Sequence, residues 1–138
     1  MQTKYITTWL LSAAFVLLLA LPASAQKTTT KLEKQPGYPG GMPALIDYMV
    51  KNIKYPEAAE KEHATGMVLV RFMVGKDGSI SGIKTITEGS QNPREDFVRE
   101  SVRVVKGMPN WTPAENDGKV VAAEVTLPIK FVLDGKKP

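Results

Sequence analysis

Between Gly66 and Val74 every second residue is apolar and β-prone: Val68, Val70, Phe72 and Val74 fall on one side, with Arg71 on the other. A period of two predicts a strand with one buried face. Gly75-Lys76-Asp77-Gly78 follows as a hairpin turn, with Gly78 able to take positive φ. Ile80 to Thr87 is the return strand, and Gly82 within it hints at a bulge. Upstream, Leu45, Ile46, Met49, Val50 and Ile53 recur at three- and four-residue intervals, the helical period. Pro43 suits the first turn of that helix, and Tyr55-Pro56 stops it, because a residue before proline is pushed out of the helical region. Glu57 to His63 holds strong helix formers with hardly any apolar stripe, which predicts one or two short exposed turns.

Asn92-Pro93-Arg94-Glu95 predicts a second long helix, with Asn92 as cap, Pro93 at the first helical position and Glu95 at the third. Phe97, Ser101, Val104, Val105 and Met108 share its inner side, and Met108-Pro109 ends it. Trp111 lies in the loop beyond, Asn116-Asp117-Gly118 is a further turn, and a last strand is expected from Lys119 to Leu133. Helix, strand, strand, helix, strand is an α+β order, solved most economically by a three-stranded antiparallel sheet with two helices packed on one face. Pro128 cannot donate to a ladder, so part of the last strand is expected at a sheet edge. Such an edge carries unpaired N–H and C=O groups and is either protected or used. Pro128 alone fits both readings.

The N-terminus has another pattern. Lys4 precedes an uncharged, largely apolar run from Trp9 to Leu21, and Ala23-Ser24-Ala25 is a small-x-small cleavage site. These residues predict a signal peptide over 1–25, cleaved after Ala25, and export to the periplasm. The rival expectation is an uncleaved inner-membrane anchor, since Ile6 to Ala25 approaches spanning length. Residues 26–37 begin QKTTTKLEKQP, polar and threonine-rich, and read as a flexible linker. The eleven residues from Gln26 to Pro36 span at most about 40 Å. The folded domain is expected over 38–138.

Composition narrows the chemistry. With 138 residues and no cysteine, the chain has one modest core and no disulfide, thiol nucleophile or cysteine-based metal site. His63 is the only histidine, and it sits on a polar turn where solvent exposure is expected. Glu95 and Asp96 are adjacent on a helix, so they do not face one another as a carboxylate pair and instead favour the helix N-terminus. Gly40-Gly41 lacks the spacing and the following lysine of a phosphate loop. Trp111 reads as core or hinge packing, with a binding aromatic as the alternative. No enzyme, no cofactor and no metal are therefore expected; an envelope hydrolase would need a nucleophile–base constellation that the residues do not offer. The net charge of +4 is dispersed with no basic run, so no nucleic-acid partner is expected.

Several short motifs stand in one order: Tyr38-Pro39-Gly40-Gly41; Tyr55-Pro56-x-x-Ala59; Gly66; Val68-x-Val70-x-Phe72-x-Val74 with Asp77-Gly78; Met108-Pro109-x-Trp111-x-Pro113-Ala114; Gly118-Lys119; and Thr126-x-Pro128-Ile129-x-Phe131-x-Leu133. Over about Tyr38 to Leu133 this series resembles the C-terminal domain of the TonB family, in its Bacteroidetes-type form. The resemblance implies a periplasmic coupling module that docks the "TonB box" of outer-membrane transporters as an added β-strand. It carries the peptide-binding role to Ala123, Glu124, Val125, Thr126, Leu127, Pro128 and Ile129 of the last strand, with Tyr55 and Pro56 near the bound peptide or supporting its platform. The expected partners are outer-membrane TonB-dependent receptors or other envelope proteins. A homodimer through the last strand is a further expectation, since an open edge can pair with its own copy.

Two departures from a full TonB bear on function: a cleavable signal in place of a permanent anchor, and no long proline-rich spacer. They favour a protein-binding module linked to TonB-dependent transport. The alternative is a short, inner-membrane-anchored energy transducer of the TonB/ExbB/ExbD type, with the segment uncleaved.

Overall fold

A computed structural model describes residues 31–133. The expected signal segment 1–25 and residues 26–30 of the expected linker lie outside the described residues. Among those described, no helix is long and apolar enough to cross a membrane.

The elements are helix α1 (Gly41–Asn52), the short helix α2 (Glu57–Lys61), strands β1 (Gly66–Val74) and β2 (Ile80–Gln91), helix α3 (Glu95–Lys106), and strands β3 (Ala114–Asn116), β4 (Lys119–Val121) and β5 (Ala123–Phe131). The main sheet is antiparallel in the order β2-β1-β5. Val68, Val70, Phe72 and Val74 are fully buried beneath the helices, and their β1 neighbours Met67, Leu69, Arg71 and Met73 turn to the opposite, open face. The fold class thus follows the period of two in β1 and the apolar stripes of α1 and α3.

Aromatic packing closes the core. Phe97 of α3 stacks on Phe131 of β5 at 4.3 Å between ring centres, and the Tyr55 ring stands edge-on to both. Trp111 is buried, with its ring edge-on to Phe72 at 5.2 Å and Tyr38 edge-on to it in turn, so the loop tryptophan is part of the core.

The ladder between β1 and β5 is unbroken from Gly66↔Phe131 to Val74↔Ala123. That between β1 and β2 is not. Its register slips between Arg71 and Met73, where β2 carries the extra residue beside Gly82 (φ 60), and again between Met67 and Leu69. At the second slip the Leu69 N–H donates to Ser90 Oγ at 3.0 Å, and Ser90 Oγ–H donates to the Ile86 carbonyl. One hydroxyl thereby stands in for the missing ladder partner.

Three details differ from the expectations. Helix α3 begins at Glu95 rather than at Pro93, with Arg94 as its N-cap residue. Asn92 does not cap it: its backbone is left-handed (φ 45), and its side-chain amide donates to the Thr65 carbonyl at 2.8 Å. The first turn is served instead by Asp96, whose Oδ1 accepts from the Phe97 N–H at 2.9 Å. The expected last strand is two strands. Lys119–Val121 pairs back on Ala114–Asn116 through a turn with Asp117 (φ 51) and Gly118 (φ 68) at its centre, and β5 starts afresh at Ala123.

The end of the expected linker is held. Lys34 and Glu115 exchange backbone hydrogen bonds of 3.1 and 3.0 Å, and Gly37 and Thr112 exchange bonds of 3.0 and 2.7 Å. Backbone pairing of this kind needs no apolar side chain, which is why a polar composition does not reveal it.

Candidate functional site

Strand β5 is an edge of the main sheet among the described residues, and its parity settles what that edge offers. Leu69 turns its N–H toward β2, onto Ser90, and Leu69 is the register partner of Pro128. The Leu69–Pro128 pair therefore exchanges no backbone bonds, which suits a residue without an N–H. Alternation along an antiparallel ladder then places Glu124, Thr126 and Lys130 in the same class as Pro128. Their N–H and C=O groups point outward, while Ala123, Val125, Leu127, Ile129 and Phe131 bond inward to β1. The open edge thus presents three N–H donors and four carbonyls, with a single gap in the donors at Pro128.

The side chains divide by the same alternation. Ala123, Val125, Leu127 and Ile129 lie on the helix-covered face; Glu124, Thr126 and Pro128 are exposed on the other. Glu124 pairs with Arg71 across the open face at 3.2 Å.

Helix α1 stands beside this edge. Leu45 is buried, and Met49 and Ile53 pack against the core. Met42, Ile46 and Val50, spaced by four, form a second row that leaves the core and remains 64%, 56% and 77% exposed. Between this row and residues Leu127 to Lys130 of β5 lies an open groove of about 620 Å³ with mostly apolar walls.

The groove wall is braced from behind. The Arg103 guanidinium donates to the Asn52 carbonyl at the end of α1 and to Glu100 Oε1, both at 2.6 Å, and the Lys54 N–H donates to the same carboxylate oxygen at 2.6 Å. Hydrogen bonding from Arg103 holds the Glu100 carboxyl below the usual range, so the network is charged at neutral pH. Tyr48 Oη donates to the Val104 carbonyl at 2.9 Å, a further tie between α1 and α3.

Of the residues assigned from sequence, Leu127, Pro128 and Ile129 line the groove, and Ala123 to Thr126 continue the same edge beyond it. Tyr55 and Pro56 do not line it. Tyr55 stands edge-on to the stacked Phe97 and Phe131 rings with its hydroxyl donating to the Ala64 carbonyl, and Pro56 is the residue that precedes α2. Burial raises the Tyr55 phenol above its ordinary range, which keeps it a donor. The sequence reading did not reach the Met42–Ile46–Val50 row or Lys130. The spacing of four places the former on one side of α1, but Leu45, Met49 and Ile53 share it, so it does not separate the exposed row from the core row.

Comparison with known proteins bears on this geometry. The family model described as Gram-negative bacterial TonB protein C-terminal matches residues 51–133. A solution structure of the Helicobacter pylori TonB C-terminal domain is similar at a TM-score of 0.51 with 20% identity, covering 68% of this chain and 95% of that one. A second solution structure of the same domain is 18% identical at a TM-score of 0.48, covering 67% of this chain and 79% of that one. Among curated proteins, none matches this chain.

Proposed function

The chain belongs to the TonB C-terminal-domain family, and from that premise we propose that it is a non-enzymatic periplasmic module that docks extended segments of outer-membrane transporters. The observation that carries the reading is the outer edge of β5. Its outward N–H and C=O groups are spaced for a guest backbone, and no described strand covers them. Strand addition supplies affinity through main-chain hydrogen bonds and selectivity through pockets for alternate side chains. The guest exchanges paired bonds at Glu124, Thr126 and Lys130 and receives only a carbonyl at Pro128.

The test is an amide-resolved NMR titration of the chain with a peptide carrying the N-terminal box of an outer-membrane transporter. Shifts are expected at Glu124, Thr126 and Lys130 and along α1. Shifts confined to α3 and β2 overturn the proposal.

A further inference from the structure

We infer that the row Met42, Ile46 and Val50 on α1 is a specificity wall, selecting a guest strand with large apolar side chains at every second position and an acidic side chain beside Lys130. The inference rests on the strand-addition reading of β5.

A strand laid along β5 sits about 4.8 Å from it, and its side chains alternate between the two faces. Those on the helix side continue the row of Val125, Leu127 and Ile129 and come to lie under α1. There they meet three large apolar side chains that are mostly exposed although the helix bearing them is braced to α3 at its end. An apolar guest side chain removes both surfaces from water; a polar one is desolvated without a partner. The guest's other side chains fall beside Glu124, Thr126, Pro128 and Lys130 on the open face. Glu124 is already matched by Arg71, whereas Lys130 has no carboxylate within ion-pair distance among the described residues. Charge complementarity across the new strand pair therefore asks for an acid at that position. The wall lies just ahead of the span matched by the family model, residues 51–133.

The experiment uses the full chain and three synthetic seven-residue peptides. One has valines at alternate positions, serines between them and an aspartate at one end. The second is its isomer with the valines adjacent, and the third is the alternating peptide with methylated backbone nitrogens. The alternating peptide is expected to bind about tenfold tighter than its isomer. Ile46→Asp, at an exposed position, should abolish that preference without loss of the native amide spectrum, and Lys130→Glu should weaken binding of the aspartate peptide several-fold. N-methylation should prevent binding. Equal binding of the two isomers, with N-methylation still abolishing it, overturns the wall and leaves strand addition standing. Binding that ignores N-methylation overturns strand addition and the wall with it, as does no binding of either isomer. Should Ile46→Asp convert a dimer to a monomer by sedimentation while leaving peptide affinity unchanged, the row is covered by a second copy and the inference falls.

Discussion

The Trp111 N–H donates to the Gly78 carbonyl at 2.8 Å, and the Trp111 carbonyl oxygen lies where a side-chain carbon on residue 78 would have to stand. Gly78 also holds a left-handed backbone (φ 84). The β1–β2 turn and the loop after α3 are therefore locked together at a residue that admits only hydrogen in place of a side chain.

Gly78→Ala meets both obstacles, a left-handed backbone and a carbonyl that must move. The expected loss is about 3 kcal/mol, read as a lower urea midpoint with an unchanged slope. An unchanged midpoint would show that the Trp111 loop yields freely.

Phe97→Ala removes a fully buried ring that stacks on Phe131 and supports Tyr55. Thermal or urea unfolding should show a loss of about 4 kcal/mol.

Ser90→Ala withdraws the hydroxyl that accepts from the Leu69 N–H and donates to the Ile86 carbonyl. A loss of about 1–2 kcal/mol is expected, together with faster hydrogen exchange at the Leu69 amide and at no amide of β5.

Thr126→Pro removes an outward N–H without touching the ladder to β1, as Pro128 already does two residues on. Stability should hold within about 1 kcal/mol, while binding of a box peptide weakens by about tenfold. Calorimetric titration measures both the affinity and, by its failure to change, the opposite result.

Acid should destabilise the fold through two carboxylates. Hydrogen bonds from Arg94 hold the Asp96 carboxyl below its ordinary range, as those from Arg103 do for Glu100. Both groups release their protons more readily in the folded chain than in the unfolded one. Their contribution is complete above the unfolded values of about 4 and is lost as pH falls through the depressed folded values. The double variant Asp96→Asn, Glu100→Gln should show a flatter decline of urea midpoint between pH 5 and pH 2 (order-of-magnitude window from the linkage relation).

Strand β1 was legible because Val68, Val70, Phe72 and Val74 alternate without interruption and every one of them is buried. Helix α1 was legible as a helix, yet its period could not divide Leu45, Met49 and Ile53, which meet the core, from Ile46 and Val50, which do not. A hydrophobic stripe records what avoids water and not which neighbour it avoids water against. Asn92 misled because a cap is defined by its backbone angles, whereas this residue is left-handed and spends its side-chain amide on the carbonyl of Thr65, which is distant in sequence. The edge of β5 was legible from Pro128; the partition of its donors needed the register with Leu69.

The pairing of Lys34 with Glu115 of β3 and of Gly37 with Thr112 just before it separates two kinds of boundary. The family-model match begins at residue 51, but Tyr38 packs on Trp111, Leu45 is buried in the core, and Tyr48 bonds to Val104. A chain trimmed to the matched span would keep α3 on the sheet but strip Tyr38 from Trp111 and Leu45 and Met49 from the core, so the cooperative unit begins ahead of that span.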